Sequence, residues 1–184
     1  MLVRLQLAEY DSPLQTLLLV TDEEGVLRAL EFADHMERMQ RLLRGHYGGY
    51  TLENGPAPAS IVHALDAYFA GDLRALDSIR VATGGTEFQR AVWQALRAIK
   101  PGETKSYGQL AKELGRVSAS RAVGAANGAN PISIVVPCHR VIGANSKLTG
   151  YAGGLPRKNW LLVHERERSA RALLFAGGVS WQSH

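Results

Sequence analysis

Short apolar segments separated by turn residues dominate the first half of the chain and predict strands. Residues 2–10 alternate loosely between apolar and polar side chains, and the apolar runs 14–21 and 26–32 follow, each after a turn. Apolar residues at helical spacing then predict helices over 35–47 and 60–70. Because a three-stranded meander needs a helix to cover one face, we expect this half to form an α/β unit.

Helical periodicity dominates the second half of the chain. Thr86 can cap a helix over 88–99, and Ser106 can cap a helix over 107–114, because both residue types are good N-caps. A closing helix is predicted over 157–165. The residues that follow have no clear period, so we expect them to form a tail.

A further helix, opened by Ser118 or Ser120 and ending near Asn127, consists almost entirely of small residues. Its short, glycine-containing connection to the preceding helix has the spacing of a helix-turn-helix. One interpretation is a tightly packed core helix. The other is a helix that enters the minor groove of DNA, where bulk would clash, with Arg121 as its one long basic side chain.

Composition limits the size and the compartment of the protein. The 184 residues, 46% of them hydrophobic, suffice for one domain or two small ones. No apolar run approaches the length of a membrane span, no secretory signal opens the chain and only one cysteine is present, so we expect a cytoplasmic protein without a membrane partner. The net charge of +4 is compatible with a polyanionic partner but is weak evidence for one.

The only cysteine, Cys138, is the candidate for chemistry. It follows an apolar run over 132–136, which predicts a buried strand that ends at Pro137, and it precedes His139. A lone cysteine cannot form an internal disulfide or a thiolate metal cluster, so it is either a buried structural residue or a nucleophile. A nucleophilic thiol needs a base nearby, and His139 could act directly or through a water.

The segments around Cys138 match a known pattern. Pro-Cys-His-Arg at 137–140 follows Asn-Pro at 130–131 and precedes Tyr-Ala-Gly-Gly at 151–154. This arrangement resembles that of the O6-alkylguanine-DNA alkyltransferases, and the similarity is continuous over residues 84–165 and looser before them. Further matching segments are 85–93, 106–111, 121–124 and 160–165.

The resemblance implies a fold and an activity. The expected fold is an α/β ribonuclease-H-like domain over 1–83, a mostly α, winged-helix-like DNA-binding domain with the active-site cysteine over 84–167, and a C-terminal tail over 168–184. The expected protein is a monomer that flips O6-alkylguanine, and also O4-alkylthymine, out of double-stranded DNA through the minor groove. It moves the alkyl group irreversibly to its own cysteine, in a single turnover. Some relatives bind zinc partly through N-terminal cysteines, which this chain lacks, so we expect neither a metal nor a cofactor.

The resemblance also assigns catalytic roles. Cys138 corresponds to the alkyl acceptor, and His139 and Glu165 correspond to the partners that generate its thiolate through a water. Tyr107 corresponds to a phenol that assists the leaving guanine. Asn130 corresponds to the hinge between the recognition helix and the active site.

Contacts with DNA and with the base follow from the same resemblance. Arg121 corresponds to the side chain that replaces the extruded nucleotide. Because Gly153 and Gly154 have no Cβ, we expect an open pocket wall that admits groups larger than methyl, including benzyl. The implied DNA contacts are Tyr107, Ala119, Ser120, Arg121, Ala122, Gly124 and Ala125. The implied pocket residues are Ser133, Val141, Tyr151, Ala152 and Gly153.

Two alternatives remain open at this point. A winged-helix regulator with a structural Cys138 fits the helix-turn-helix, although major-groove readers need long polar side chains that the small-residue helix lacks. A Cys-His hydrolase fits the pair formed by Cys138 and His139.

Overall fold

The computed structural model of the chain describes residues 2–176, in which a four-stranded sheet precedes a mainly helical half. The elements in chain order are β1 (Val3–Ser12), β2 (Gln15–Asp22), β3 (Leu27–Phe32), α1 (Met36–Tyr47), β4 (Tyr50–Asn54), α2 (Ala59–Ala70), α3 (Glu87–Arg97), β5 (Lys105–Ser106), α4 (Tyr107–Glu113), α5 (Ser120–Gly128), β6 (Val141–Ile142) and α6 (Leu155–Ala176). The sheet order is β3-β2-β1-β4, and a small parallel pair joins β5 to β6. This arrangement confirms the predicted α/β half followed by a mostly helical half.

The antiparallel meander of β1, β2 and β3 forms as predicted, and both faces of its central strand are buried. Leu17 and Leu19 of β2 pack into one hydrophobic cluster, whereas Leu18 and Val20 pack into another. Successive side chains of a strand point to opposite faces, so the sheet has two apolar faces. Residues of α2 close the first cluster and residues of α1 close the second.

Strand β4 is the longest strand that the sequence did not predict; the two-residue strands β5 and β6 were not predicted either. It pairs in parallel with β1, from Val3 opposite Tyr50 to Leu7 opposite Asn54. Its side chains are half buried or exposed and lack a clear alternation, because it lies at the edge of the sheet. Pairing with β1, rather than a hydrophobic pattern of its own, makes this segment a strand.

The predicted starts of the helices of the second half are mostly correct. Thr86 and Ser106 cap α3 and α4, and each side chain accepts from the backbone N–H three residues later at 3.1 Å. Helix α5 begins differently. Its first residue is Ser120, one of the two predicted, but its N-cap residue is Ala119, which has no capping side chain.

The apolar run before the cysteine is not the predicted strand. Residues 132–136 form turns, and their only ladder contact is a single bridge between Leu30 and Ile132. The Asn130 side chain holds this shape, because Oδ1 accepts from the Ile132 N–H at 3.0 Å and Nδ2 donates to the Val136 carbonyl at 2.8 Å. An apolar run can be a buried strand or a buried turn, and here an amide satisfies the backbone in place of a neighbouring strand.

Helix α6 is longer than predicted. It runs from Leu155 to Ala176 rather than over 157–165, because the residues after Glu165 are mainly good helix formers. It therefore passes through the expected start of the tail at 168, and residues 177–184 of that tail lie outside the described residues. Within residues 2–176 no helix combines the length and apolar character needed to span a membrane.

The two halves pack directly on each other. One hydrophobic cluster contains buried residues from the sheet, from α2 and from the helices of the second half. The Leu30 N–H donates to the Pro131 carbonyl at 3.0 Å, and the Ser133 N–H donates to the Leu30 carbonyl at 2.9 Å. The first half therefore supports the segment that leads to Cys138.

Candidate active site

Cys138 lies at the start of a short 3₁₀ turn, just after the buried turns that Asn130 holds. Its backbone N–H donates to the Val136 carbonyl at 2.8 Å, and Pro137 precedes the turn. All residues from 131 to 141 are buried, and Cys138 itself is 3% exposed. The thiol is thus held in a buried segment whose backbone is fixed by hydrogen bonds.

Burial governs the protonation of this thiol. It raises the pKa of Cys138, and the Asn130 amide and the Arg38 cation only partly offset that rise. The resting group is therefore a neutral thiol, so an attack by sulfur requires that a base remove its proton.

A buried carboxylate organises the groups next to the thiol. His139 Nε2 donates to Glu165 Oε1 at 2.8 Å, and Tyr68 Oη donates to the same oxygen at 2.8 Å. Arg140 binds both oxygens of Glu165, with Nη2 and Nε each at 2.9 Å, and its Nη1 donates to the Ile99 carbonyl at 2.6 Å. The predicted pair of His139 and Glu165 is therefore in contact, and Arg140 and Tyr68 complete a cluster that the sequence did not predict.

The charges in this cluster make His139 a base. Burial lowers the pKa of His139 despite the opposing effect of Glu165, so the imidazole is neutral near pH 7. Burial alone would raise the pKa of Glu165, but His139 and Arg140 outweigh it and hold that pKa well below its usual range. Because the ionised carboxylate only accepts, Nε2 carries the proton and Nδ1 is the basic nitrogen. His139 Nδ1 is buried and has no hydrogen-bond partner within residues 2–176.

A cavity of about 160 Å³ opens onto Cys138. Of the predicted pocket residues, Tyr151 and Ala152 line this cavity, and Tyr107 at the start of α4 also lines it. Ser133, Val141 and Gly153 do not line it. The lining residues are Tyr107, Gly124, Asn127, Gly128, Cys138, Gly150, Tyr151 and Ala152.

The expected open wall at Gly153 is wrong. Gly153 is buried, and a Cβ there would lie 2.5 Å from Phe32 and 2.8 Å from Tyr151. The missing side chain lets the loop pack against β3 instead of widening the pocket. Open space is found at Gly128, where a Cβ would meet nothing within 4 Å.

Helix α5 presents its small side chains and Arg121 to the outside. Ser120, Arg121, Ala122 and Ala125 are exposed, whereas Ala119 is half buried. Within the described residues the Arg121 side chain makes no hydrogen bond or salt bridge, so it is free to contact a ligand. Helix α5 ends at Gly128, next to the pocket, so a molecule bound along this helix lies near Cys138.

Two cations that the sequence did not predict, the half-buried Arg38 and the buried Lys158, fix the backbone around the pocket. Arg38 of α1 forms a salt bridge with Glu31 and donates to the carbonyls of Gly128 at 2.6 Å and Asn130 at 3.1 Å. The fully buried Lys158 donates to the carbonyls of Val141, Thr149 and Gly150, the first two at 2.6 and 2.7 Å. Burial lowers the pKa of Lys158 to about 8. Because each cation lies far along the chain from the carbonyls that it binds, no local sequence pattern predicts these contacts.

Among residues 2–176 no three His, Cys, Asp or Glu side chains come together in a way that could hold a metal ion.

Comparison with protein families gives two matches that together span most of the chain. A model described as 6-O-methylguanine DNA methyltransferase, ribonuclease-like domain, matches residues 7–83. A model described as 6-O-methylguanine DNA methyltransferase, DNA binding domain, matches residues 87–167.

Individual relatives agree with these matches. The chain is 55% identical over 166 residues to the methylated-DNA–protein-cysteine methyltransferase of Salmonella typhimurium, covering 89% of this chain and 97% of that protein. It is 47% identical over 158 residues to the protein of the same name from Methanosarcina acetivorans, covering 86% and 96%. Among solved structures, it is similar to Mycobacterium tuberculosis OGT in complex with DNA, with a TM-score of 0.75, 41% identity and coverage of 90% and 94%.

Proposed function

The chain belongs to the 6-O-methylguanine DNA methyltransferase family, and on that premise we propose that it repairs DNA by moving the alkyl group of O6-alkylguanine onto its own Cys138. The observation that carries this proposal is the position of the only cysteine, which faces a cavity of about 160 Å³ beside a buried base. Membership of this family disfavours both alternatives, a regulator with a structural cysteine and a Cys-His hydrolase.

The first step is removal of the thiol proton. We propose that the proton passes from Cys138 Sγ through a water to His139 Nδ1, the buried nitrogen with no partner in the described chain. Glu165 then stabilises the imidazolium through Nε2, and Arg140 keeps the carboxylate ionised. The cluster around Glu165 thus makes a thiolate in a place where burial disfavours one.

The second step is the displacement itself. The thiolate attacks the sp³ carbon on O6, a C–S bond forms, the C–O bond breaks, and the electron pair of that bond stays on guanine. Tyr107 lines the same cavity and can donate its phenolic proton to the leaving base. The product is a thioether, which water does not readily cleave, so each molecule reacts once.

The base has to leave the duplex before it can reach this pocket, because Cys138 is 3% exposed. We propose that α5 enters the minor groove with its exposed small residues, and that Arg121 fills the space of the extruded nucleotide. O4-alkylthymine, which also carries its alkyl group on an exocyclic oxygen, is included as a substrate. The half-buried Lys105 is paired with Glu113, so the exposed Lys112 and Arg116 are the better candidates for phosphate contacts.

We propose that the chain divides into a first part over 1–83 and a second part over 84–167, and that the first part supports the active site of the second. Tyr68 from the first part donates to Glu165, and Arg38 from the first part holds the carbonyls of Gly128 and Asn130. The first part thereby fixes both the base that activates the thiol and the hinge beside it.

Mass spectrometry of the intact protein tests the proposed function. After incubation with a duplex that contains one O6-methylguanine, we expect the protein mass to rise by one methyl in place of one hydrogen, and peptide mapping to place it on Cys138. The Cys138→Ser protein serves as the control and should gain nothing. An unmodified wild-type protein, or several turnovers per molecule, would refute the proposal.

A further inference from the structure

Asn127 is a buried polar residue in the pocket that the proposed mechanism does not use. It belongs to α5, is 5% exposed and lines the cavity beside Cys138. Its Nδ2 donates to the Cys138 carbonyl at 3.4 Å. Its Oδ1 is buried and accepts no hydrogen bond from any group within residues 2–176.

This arrangement points to a ligand rather than to packing. A buried acceptor without a donor is unfavourable, and an apolar side chain of similar size would fill the same space without that cost. The Nδ2 group of the amide already donates to the Cys138 carbonyl. The Oδ1 atom is therefore available to a donor that enters the cavity.

The chemistry of the proposed substrate identifies that donor. In an O6-alkylguanine nucleotide, N1, N3, N7 and O6 carry no hydrogen, so the 2-amino group is the only N–H donor of the base. O4-alkylthymine has no N–H donor. The Tyr107 and Tyr151 hydroxyls in the same pocket can donate as well as accept, whereas Asn127 Oδ1 only accepts.

We propose that Asn127 Oδ1 accepts a hydrogen bond from the 2-amino group of O6-alkylguanine and thereby sets the preference for guanine over bases without that group. This inference rests on the proposed function of the pocket. It assigns Asn127 as a specificity-determining residue that binds the base while its Nδ2 keeps the Cys138 carbonyl in place.

The test compares two substrates that differ only in the amino group. Single-turnover rates of methyl transfer are measured with O6-methylguanine and with O6-methylhypoxanthine in the same duplex, for the wild type and for Asn127→Leu. Pairing and stacking of the two bases belong to the DNA, so they cancel when the ratio of the rates is compared between proteins. We expect the ratio to fall about tenfold in Asn127→Leu, as for the loss of one hydrogen bond.

Two further variants separate recognition from structure. Tyr151→Phe removes a second buried polar atom of the pocket that has no partner within residues 2–176. It should leave the ratio within about twofold of the wild type, since Asn127 alone is proposed to bind the amine. Asn127→Asp keeps an acceptor at this position and should retain the wild-type ratio even where its rate or its melting temperature is lower.

The outcomes are distinct. A ratio in Asn127→Leu that stays within about twofold of the wild type would overturn the inference, as would a collapsed ratio in Asn127→Asp. A wild-type protein that takes no methyl from O6-methylguanine would instead refute the proposed function itself.

Discussion

The buried cluster around Glu165 and the outer face of α5 are built in opposite ways. His139, Arg140 and Glu165 are almost completely buried, and Glu165 accepts four hydrogen bonds. Arg121 on α5 is exposed, and it forms no salt bridge within the described part of the chain. One region keeps its charges away from water, and the other keeps its charge in water.

This difference in burial matches the two proposed tasks, with chemistry in the cluster around Glu165 and DNA binding on the outer face of α5. In the buried cluster the charges depend on one another, so a change to one of them alters both stability and the supply of thiolate. On the exposed face a side chain has no internal partner to lose, so we expect a change there to alter only the proposed contact with DNA. Paired substitutions in the two regions can test this division.

The largest effect is expected at the nucleophile. Cys138→Ser should abolish methyl transfer, because an alcohol is far less acidic than a thiol, while the DNA-binding face stays unchanged. Transfer is followed by the mass of the intact protein and duplex binding by fluorescence anisotropy. Loss of duplex binding in this variant would show that the site and the binding face are not separable.

The next largest effect is expected at Glu165. Glu165→Gln leaves the buried Arg140 without its counter-charge and should lower the free energy of unfolding by about 3–5 kcal/mol. It should also slow methyl transfer, because His139 loses the group that stabilises its charged form. Glu167→Gln is the matched control, since Glu167 is exposed on the same helix, and it should change stability by no more than about 0.5 kcal/mol.

The same pair of variants predicts a pH dependence. The pKa of Glu165 is lower in the folded protein than in the unfolded chain, so its contribution to stability is complete above the unfolded value of about 4.3 and is lost as the pH falls below it. The difference in melting temperature between the wild type and Glu165→Gln should therefore shrink below about pH 4. A difference that stays constant down to about pH 3 would mean that Glu165 is not ionised in the fold.

An intermediate effect is expected at Gly153, with Gly128 as the matched control. Gly153→Ala places a methyl 2.5 Å from Phe32 and should destabilise the protein by about 1–3 kcal/mol, as overpacked cores do. Gly128→Ala meets nothing within 4 Å and should be neutral within about 0.5 kcal/mol. Thermal unfolding of both proteins measures this, and equal stabilities would place Gly153 outside the packed interior.

The smallest effect is expected at Arg121 and is confined to duplex substrates. Arg121→Ala should slow transfer from O6-methylguanine in duplex DNA by about tenfold, because extrusion of the base is no longer offset, and should leave the melting temperature unchanged. Reaction with a free O6-alkylguanine base, which needs no extrusion, should be unaffected. Arg41→Ala, an exposed arginine on α1, should change neither rate. Equal losses on both substrates would instead assign Arg121 a role in folding.

Much of this protein was determined by local sequence. Strands β1 to β3 and helices α1 to α4 follow from apolar periodicity and from caps such as Thr86 and Ser106, whose hydrogen bonds reach only three residues along the chain. The proposed nucleophile could also be selected from sequence, because Cys138 is the only cysteine and the motif around it resembles that of its family.

What only the tertiary structure decided depends on partners that are far apart in the chain. Strand β4 exists because β1 pairs with it, and the turns over 132–136 exist because the Asn130 amide and β3 satisfy their backbone. The contacts of Arg38 and Lys158 join carbonyls to cations on distant helices. Gly153 packs against the ring of Phe32, whereas Asn127 lines the cavity. This difference depends on the residues that lie opposite each of them after folding, and the neighbouring sequence does not indicate which residues those are.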